Sequence, residues 1–315
     1  MIKQVGKHFV LVILLISFIT YTYGSYGDRQ PVFNNCVENC EQNVCAKNPT
    51  LPLSLRITLW SCLDDCKYNC MRQITDMAVE TGEPIVQYYG KWPFLRLFGM
   101  QEPASVLFSI LNGWGHWYHL KIIQTRVPNG YFLKPFYYGY ALIGMNAWLW
   151  SSVFHSRDTS LTEKLDYFSA ALTILYGLFV AILRATHIVD RKKQAFVGVL
   201  HIIPFLLHIS YLSFYKFDYG YNMKASIGIG MLHNVAWGII ALRSSGHPYR
   251  WRPIASALLL TSAMSLELFD FPPILEMVDA HALWHAATVP ILVYWYTFLM
   301  EDARWDAPRM RLKKN

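Results

Sequence analysis

Charge is scarce in this chain of 315 residues: Asp, Glu, Lys and Arg make up 16% of it, against roughly 25% in soluble domains. With 54% hydrophobic residues and a mean hydropathy of +0.22, that scarcity excludes a disordered chain and argues against an ordinary cytosolic enzyme. Cysteine is missing from residues 71–315, all six lying between Cys36 and Cys70. Such segregation points to one stapled module in an oxidising compartment rather than to a reducing cytosol. No period of 20–50 residues recurs, which excludes a repeat architecture.

Long apolar runs are what the chain has instead. Lys3 and Lys7 precede an apolar stretch, Phe9 to Thr20, followed by Gly24 and Ser25, the layout of a secretory signal peptide spanning residues 1–24. An uncleaved anchor is the alternative reading. Seven further runs follow, at 104–123, 136–155, 165–183, 194–214, 224–242, 253–269 and 281–300. Each is near the length needed to cross a hydrocarbon core of about 30 Å as a helix. The expected fold is therefore an all-α integral membrane protein: a signal peptide, a cysteine-rich lumenal segment over 25–103, seven transmembrane helices over 104–300, and a basic cytosolic tail over 301–315.

The charges test that topology. Fourteen Lys and Arg fall on the loops and tail expected in the cytosol, among them Arg184, Arg191, Lys192, Lys193 and Arg304 to Lys314, against three or four on the lumenal loops. This is the positive-inside asymmetry. The net charge of +7 is thus a topology signal, and no nucleic-acid partner is expected.

The cysteines form two triplets, Cys36, Cys40 and Cys45, then Cys62, Cys66 and Cys70, each with spacings that place it along one face of a helix. Pairing outermost with outermost gives 36 with 70, 40 with 66 and 45 with 62, a ladder that closes an antiparallel helical hairpin around a turn at Asn48 to Pro52. Zinc ligation by the same residues is the rival reading, although structural zinc favours Cys-x2-Cys pairs. Asn48-Pro49-Thr50 carries Pro at the middle position and should not be glycosylated.

Ionisable residues inside a membrane are costly and are functional candidates by default. His155 closes the second apolar run and Ser151 lies one turn before it; Asp166 opens the third run from the same side; His281 and His285 open the seventh, one turn apart on one face. The topology therefore brings Ser151, His155, Asp166, His281 and His285 to one level of the lumenal leaflet. Three histidines with an open position are the pattern of a catalytic zinc site. A second cluster, Gly113-Trp114-Gly115-His116-Trp117-Tyr118-His119, reads as helix packing and interface chemistry.

Ser151-x3-His155, Asp166 and His281-x3-His285 together resemble the CREST superfamily of seven-helix membrane hydrolases, which includes alkaline ceramidases and adiponectin-receptor-like proteins. The cysteine-rich segment, Gln87-Tyr88-Tyr89-Gly90-Lys91-Trp92-Pro93-Phe94 and Phe154-His155-Ser156-Arg157-Asp158 are similar to its post-GPI-attachment-to-proteins factor 3 family. That resemblance implies a phospholipase A2-type hydrolase removing the unsaturated sn-2 fatty acid from the phosphatidylinositol of GPI-anchored proteins by a zinc-bound water. His155, His281 and His285 would be the Zn2+ ligands, Asp166 the residue handling the water, as base, orienter or near-ligand, and Ser151 either a group supporting the ligands from behind or an oxyanion partner. The partners implied are GPI-anchored proteins and membrane lipid, and the location is the Golgi membrane, or the endoplasmic reticulum. A non-enzymatic receptor or escort for GPI-anchored cargo and a ceramidase-like amidase are the alternatives.

Overall fold

The structure, a computed structural model, describes residues 25–312; the expected signal peptide at 1–24 and the last residues of the basic tail, 313–315, lie outside the described residues. Among the described residues the regular elements are helical. The chain divides into two compact units, one formed by the chain up to Lys47 together with Cys66–Pro93, the other by Asn48–Asp65 together with Phe94 onward.

In the first unit, helix α1 (Pro31–Asn43) starts on a proline, which costs nothing at a first turn whose N–H groups have no intrahelical acceptor. It lies against helix α3 (Cys62–Thr81) across two disulfides, Cys36–Cys70 and Cys40–Cys66, with Cα separations of 5.9 and 5.8 Å. These are the two outer rungs expected from the spacing. Cys45 and Cys62 are disulfide-bonded as well, so no described cysteine is left as the thiolate a zinc ion needs. Phe33 and Tyr88, with ring centroids 5.0 Å apart, pack with Cys70 as the small core beneath the staples.

The second unit holds a short helix, α2 (Leu53–Ile57), and seven longer ones: α4 (Pro103–Arg126), α5 (Lys134–Ser156), α6 (Ser160–Thr186), α7 (Arg191–Ser210), α8 (Tyr219–Arg243), α9 (Arg252–Met264) and α10 (Ala280–Leu312). Each of the seven falls on one of the expected apolar runs. Four are long and apolar enough to cross a membrane, at 160–186, 191–215, 219–243 and 280–310, which makes this a multi-pass membrane protein. Their starts follow local chemistry. Thr159 and Thr162 form a capping box at α6, and Asp190, Asp218 and Asp279 accept backbone N–H groups of Lys193, Tyr221 and Ala282 at α7, α8 and α10. The Tyr221 N–H holds the Asp218 carboxyl below its usual range, helped by Lys216.

Two boundaries differ from expectation. Helix α6 starts at Ser160 rather than 165 because Thr159 caps it there, outside the apolar run. Helix α9 has 13 residues, about 20 Å at 1.5 Å per residue, and gives way at Ser265 to a 3-10 turn, where the Ser265 hydroxyl donates to Ser262 O. The expected run to 269 is therefore not one helix.

Helix α4 packs on α5 and α10, α5 on α6, α6 on α8, α8 on α9 and α9 on α10, a closed ring. Helix α7 joins it mainly through α6, with His208 also reaching Asn222 of α8 at 3.0 Å, which leaves most of its apolar surface outward. The ring's core gathers Ile123, Tyr137, Phe179, Leu183, Trp237, Tyr296 and Phe298 at one end. His116 and His119 belong to this packing. The Tyr296 hydroxyl lies 2.8 Å from His116 Nδ1, His119 stacks on the same tyrosine, and Gly144 of α5 leaves the space the His116 ring fills. The other end carries the three histidines and the serines beside them.

Candidate metal centre

Helices α4, α5 and α10 build the site from their ends opposite that core. Ser151 and His155 sit on the last turns of α5, His281 and His285 on the first turns of α10, and Ser109 and Asn112 on α4. All but His281 are buried. The i, i+4 spacing puts His281 and His285 on one face of α10, and their Nε2 atoms approach to 2.8 Å. His155 Nε2 lies 3.3 Å from His281 Nε2. One donor nitrogen from each of the three falls within 4.8 Å of the others.

Imidazole nitrogens this close either share a proton or face a common cation, because two facing lone pairs repel. Tetrahedral zinc with Zn–N of about 2.0–2.1 Å would set its nitrogens about 3.3 Å apart; the His155–His281 pair has that spacing, and the His281–His285 pair is closer, at 2.8 Å. The outer ring nitrogens favour the same assignment. His155 Nδ1 lies 2.7 Å from the Glu102 carboxylate and His285 Nδ1 lies 3.4 Å from Ser109 Oγ. A neutral imidazole whose Nδ1–H donates outward leaves the Nε2 lone pair pointing inward, the tautomer a metal requires. The residues present therefore fit a divalent ion held by three histidines with a position open.

Glu102 is the residue that sequence reasoning missed. It is buried at the N-cap of α4, but its side chain caps nothing there and goes to His155. Its own N–H donates to His155 O, and Gln101 N–H donates to Ser156 O, so the connector clasps the end of α5 from both sides. The residues setting α10 against α4 were missed too. Asn112 Nδ2 donates to His285 O and Thr288 Oγ1, at 2.9 and 3.0 Å, which fixes the turn that carries His285. A run of polar residues, Ser105, Ser109 and Asn112, along one stripe of an apolar segment was the available signal.

The other expected residues sort as follows. Ser151 Oγ lies 3.0 Å from Ser109 Oγ, which in turn reaches His285, so Ser151 belongs to the same cluster. Asp166, partly buried in the second turn of α6, is not a member of the three-histidine group. Asp279, one residue before α10, caps the helix bearing two of the histidines; burial pushes its carboxyl up, against the pull of the Ala282 N–H and His281.

The model of the Per1-like family matches residues 52–303, most of the chain and all of this site. The chain belongs to the Per1-like family. Among its relatives, Protein PER1 homolog of Schizosaccharomyces pombe is 40% identical over 98% of this chain and 97% of its own length. GPI-specific phospholipase A2-like PGAP3 of Danio rerio is 41% identical over 89% of this chain and 90% of its own length, and the Homo sapiens protein of that name 37% identical over 93% of each. No solved structure matches this Per1-like chain.

Proposed function

We propose that this protein is a metal-dependent ester hydrolase of phospholipase A2 type, which removes the unsaturated sn-2 fatty acid from the phosphatidylinositol of GPI-anchored proteins during lipid remodelling. The substrate class is supported by the names of the PGAP3 relatives, which call those proteins GPI-specific and phospholipase A2-like. The chemistry is supported by one observation above others, the convergence of three imidazole nitrogens with a buried carboxylate behind one of them.

His155, His281 and His285 would hold the ion, and Zn2+ suits three nitrogens with an open place. When bound there, such an ion supplies Lewis acidity that polarises an ester carbonyl and acidifies water near neutral pH. The protein's residues do the rest. Glu102 holds His155 in its tautomer, and Ser109 does so for His285. The Ser151 hydroxyl donates to the charge that develops on the carbonyl oxygen. Asp166 takes the proton from the attacking water and returns it to the departing glycerol oxygen. An sn-2 ester lies just beneath the headgroups, which is where a site at the helix ends meets it. The compartment is the Golgi membrane, with the endoplasmic reticulum as the alternative, the cysteine-rich segment lumenal and the C-terminus cytosolic.

The test is lipid analysis of GPI anchors from cells lacking this protein, rescued by wild type or by His285→Ala. Wild type is expected to restore removal of the sn-2 chain and His285→Ala to leave it in place at normal protein level. Removal at the wild-type rate by a well-expressed His285→Ala would falsify the assignment.

A further inference from the structure

Beside the metal centre, the second unit exposes large apolar side chains in places where no spanning helix explains them. Three short loops carry them. The first is α2 and its exit, with Leu53 63%, Ile57 70% and Leu59 78% exposed; the second is the turn before α4, with Phe98 81% exposed; the third is the turn before α10, with Ile274 58% and Leu275 80% exposed.

The loops adjoin. Trp60 Nε1 donates to Gly99 O, and a Cβ on Gly99 would lie 2.5 Å from Thr58 Oγ1, so the Phe98 turn is seated on the α2 exit. Leu95 N–H donates to Glu276 O, which ties the same segment to the third loop. Each loop holds a large apolar residue in the left-handed region, Leu59 at φ 58°, Phe98 at 51° and Leu275 at 52°. That conformation is uncommon for such residues and is paid for elsewhere in the structure. A soluble surface would place Gly or Asn there. Three tips that keep Leu or Phe at such a φ, with the side chain outward, present those side chains to something apolar.

Position along the chain says what that is. Phe98 precedes Glu102, the partner of His155, by four residues, so its Cα lies within about 14 Å of that residue's; Leu275 is five residues before Ala280, where α10 starts. Both tips therefore stand at the ends of the membrane-embedded helices, level with the headgroup layer. Exposed Arg56 beside Ile57 supplies a cation at the same level, as residues that snorkel to phosphates do.

We infer that Leu59, Phe98 and Leu275 dip into the leaflet on the metal-centre side and form a lipid-contacting rim beside the site, with the boundary between acyl chains and headgroups as its occupant. The inference stands on the multi-pass membrane character alone, so it and the hydrolase reading can fail separately. The rim would hold the three histidines at a fixed depth relative to the glycerol esters.

The experiment places a spin label on Phe98→Cys in the full-length protein reconstituted into phosphatidylcholine vesicles. All native cysteines are disulfide-bonded, so the introduced thiol is the one that labels. Collision with oxygen, which concentrates in lipid, is compared with collision with a water-soluble nickel chelate. The expected result is oxygen access above nickel access, inverted relative to a Glu80→Cys control on α3. Nickel access equal to that of the control overturns the inference, and so does shielding from both reagents, which would mean a protein occupant, whether a second copy or cargo. Leu275→Cys, on a separate loop, carries the same measurement if Phe98→Cys fails to fold.

Discussion

Glu102 stands 53 residues before the histidine it contacts, yet its carboxylate reaches His155 Nδ1 at 2.7 Å in a buried setting. Neutralising it keeps a hydrogen-bond acceptor in place but removes the charge that makes His155 Nε2 a better donor to a cation. Glu102→Gln is therefore expected to fold and to bind metal about 10- to 100-fold more weakly, the usual loss when the group behind a ligand is changed. Metal content of purified protein against a graded chelator series reads this directly, with His281→Ala as the stronger lesion; unchanged content for Glu102→Gln would remove the carboxylate from the site. The contrast between Glu102 and the histidines shows why one was legible in the chain and the other was not. His281 and His285 declare themselves by helical spacing, and His155 by ending an apolar run. Glu102 reads as a polar residue ahead of a helix-starting proline, and only the folding of the 101–102 connector across the end of α5 joins it to His155.

Helix α10 has a polar clamp at each end. Opposite the histidines, Arg184 of α6 makes a two-pronged ion pair with Asp302, at 2.7 and 2.9 Å, and both residues are almost wholly buried. His247 reaches the same carboxylate at 3.2 Å, while Asp306, one turn on, accepts from Tyr131 and lies 3.1 Å from His187. This network sets the axial position of α10 against α6 and hence of the two histidines it carries. Removing one partner strands a buried charge, which costs about 3–5 kcal/mol, whereas removing both is far milder. Arg184→Leu should accordingly unfold at much lower denaturant than wild type in detergent, and Arg184→Leu with Asp302→Leu should recover most of the difference. Equal loss in single and double variants would reduce the pair to ordinary packing. At this scale the apolar runs located all seven long helices, four of them long and apolar enough to cross a membrane, because spanning imposes length and hydropathy on a helix. Helix ends were less legible, since Thr159 and the 3-10 turn after Met264 are local hydrogen-bonding choices outside the hydropathy pattern. The ion-pair network was invisible, because Asp302 and Asp306 look like the polar flank of a span until α6 and the loop with His247 close on them.

At the scale of the whole molecule, two features of one chain bear on its orientation in the membrane: cysteines oxidised in the segment before α4, and basic residues crowded on alternate loops. Disulfides persist on the lumenal side of the secretory pathway, and Lys and Arg are retained in the cytosol. Asn48-Pro49-Thr50 offers a direct test. Its proline blocks glycosylation, no other Asn-x-Ser/Thr occurs in the 315 residues, and Asn48 and Pro49 are exposed in the turn between α1 and α2. Pro49→Ala therefore creates the chain's one acceptor. If this segment faces the lumen, the variant gains a single glycan, seen as a mobility shift that endoglycosidase reverses and that wild type lacks. The substitution lies far from the histidines in sequence, so GPI-anchor lipid composition should be unchanged in cells that express it. An unglycosylated Pro49→Ala protein of normal abundance would reverse the expected orientation, and with it the leaflet proposed for the candidate metal centre.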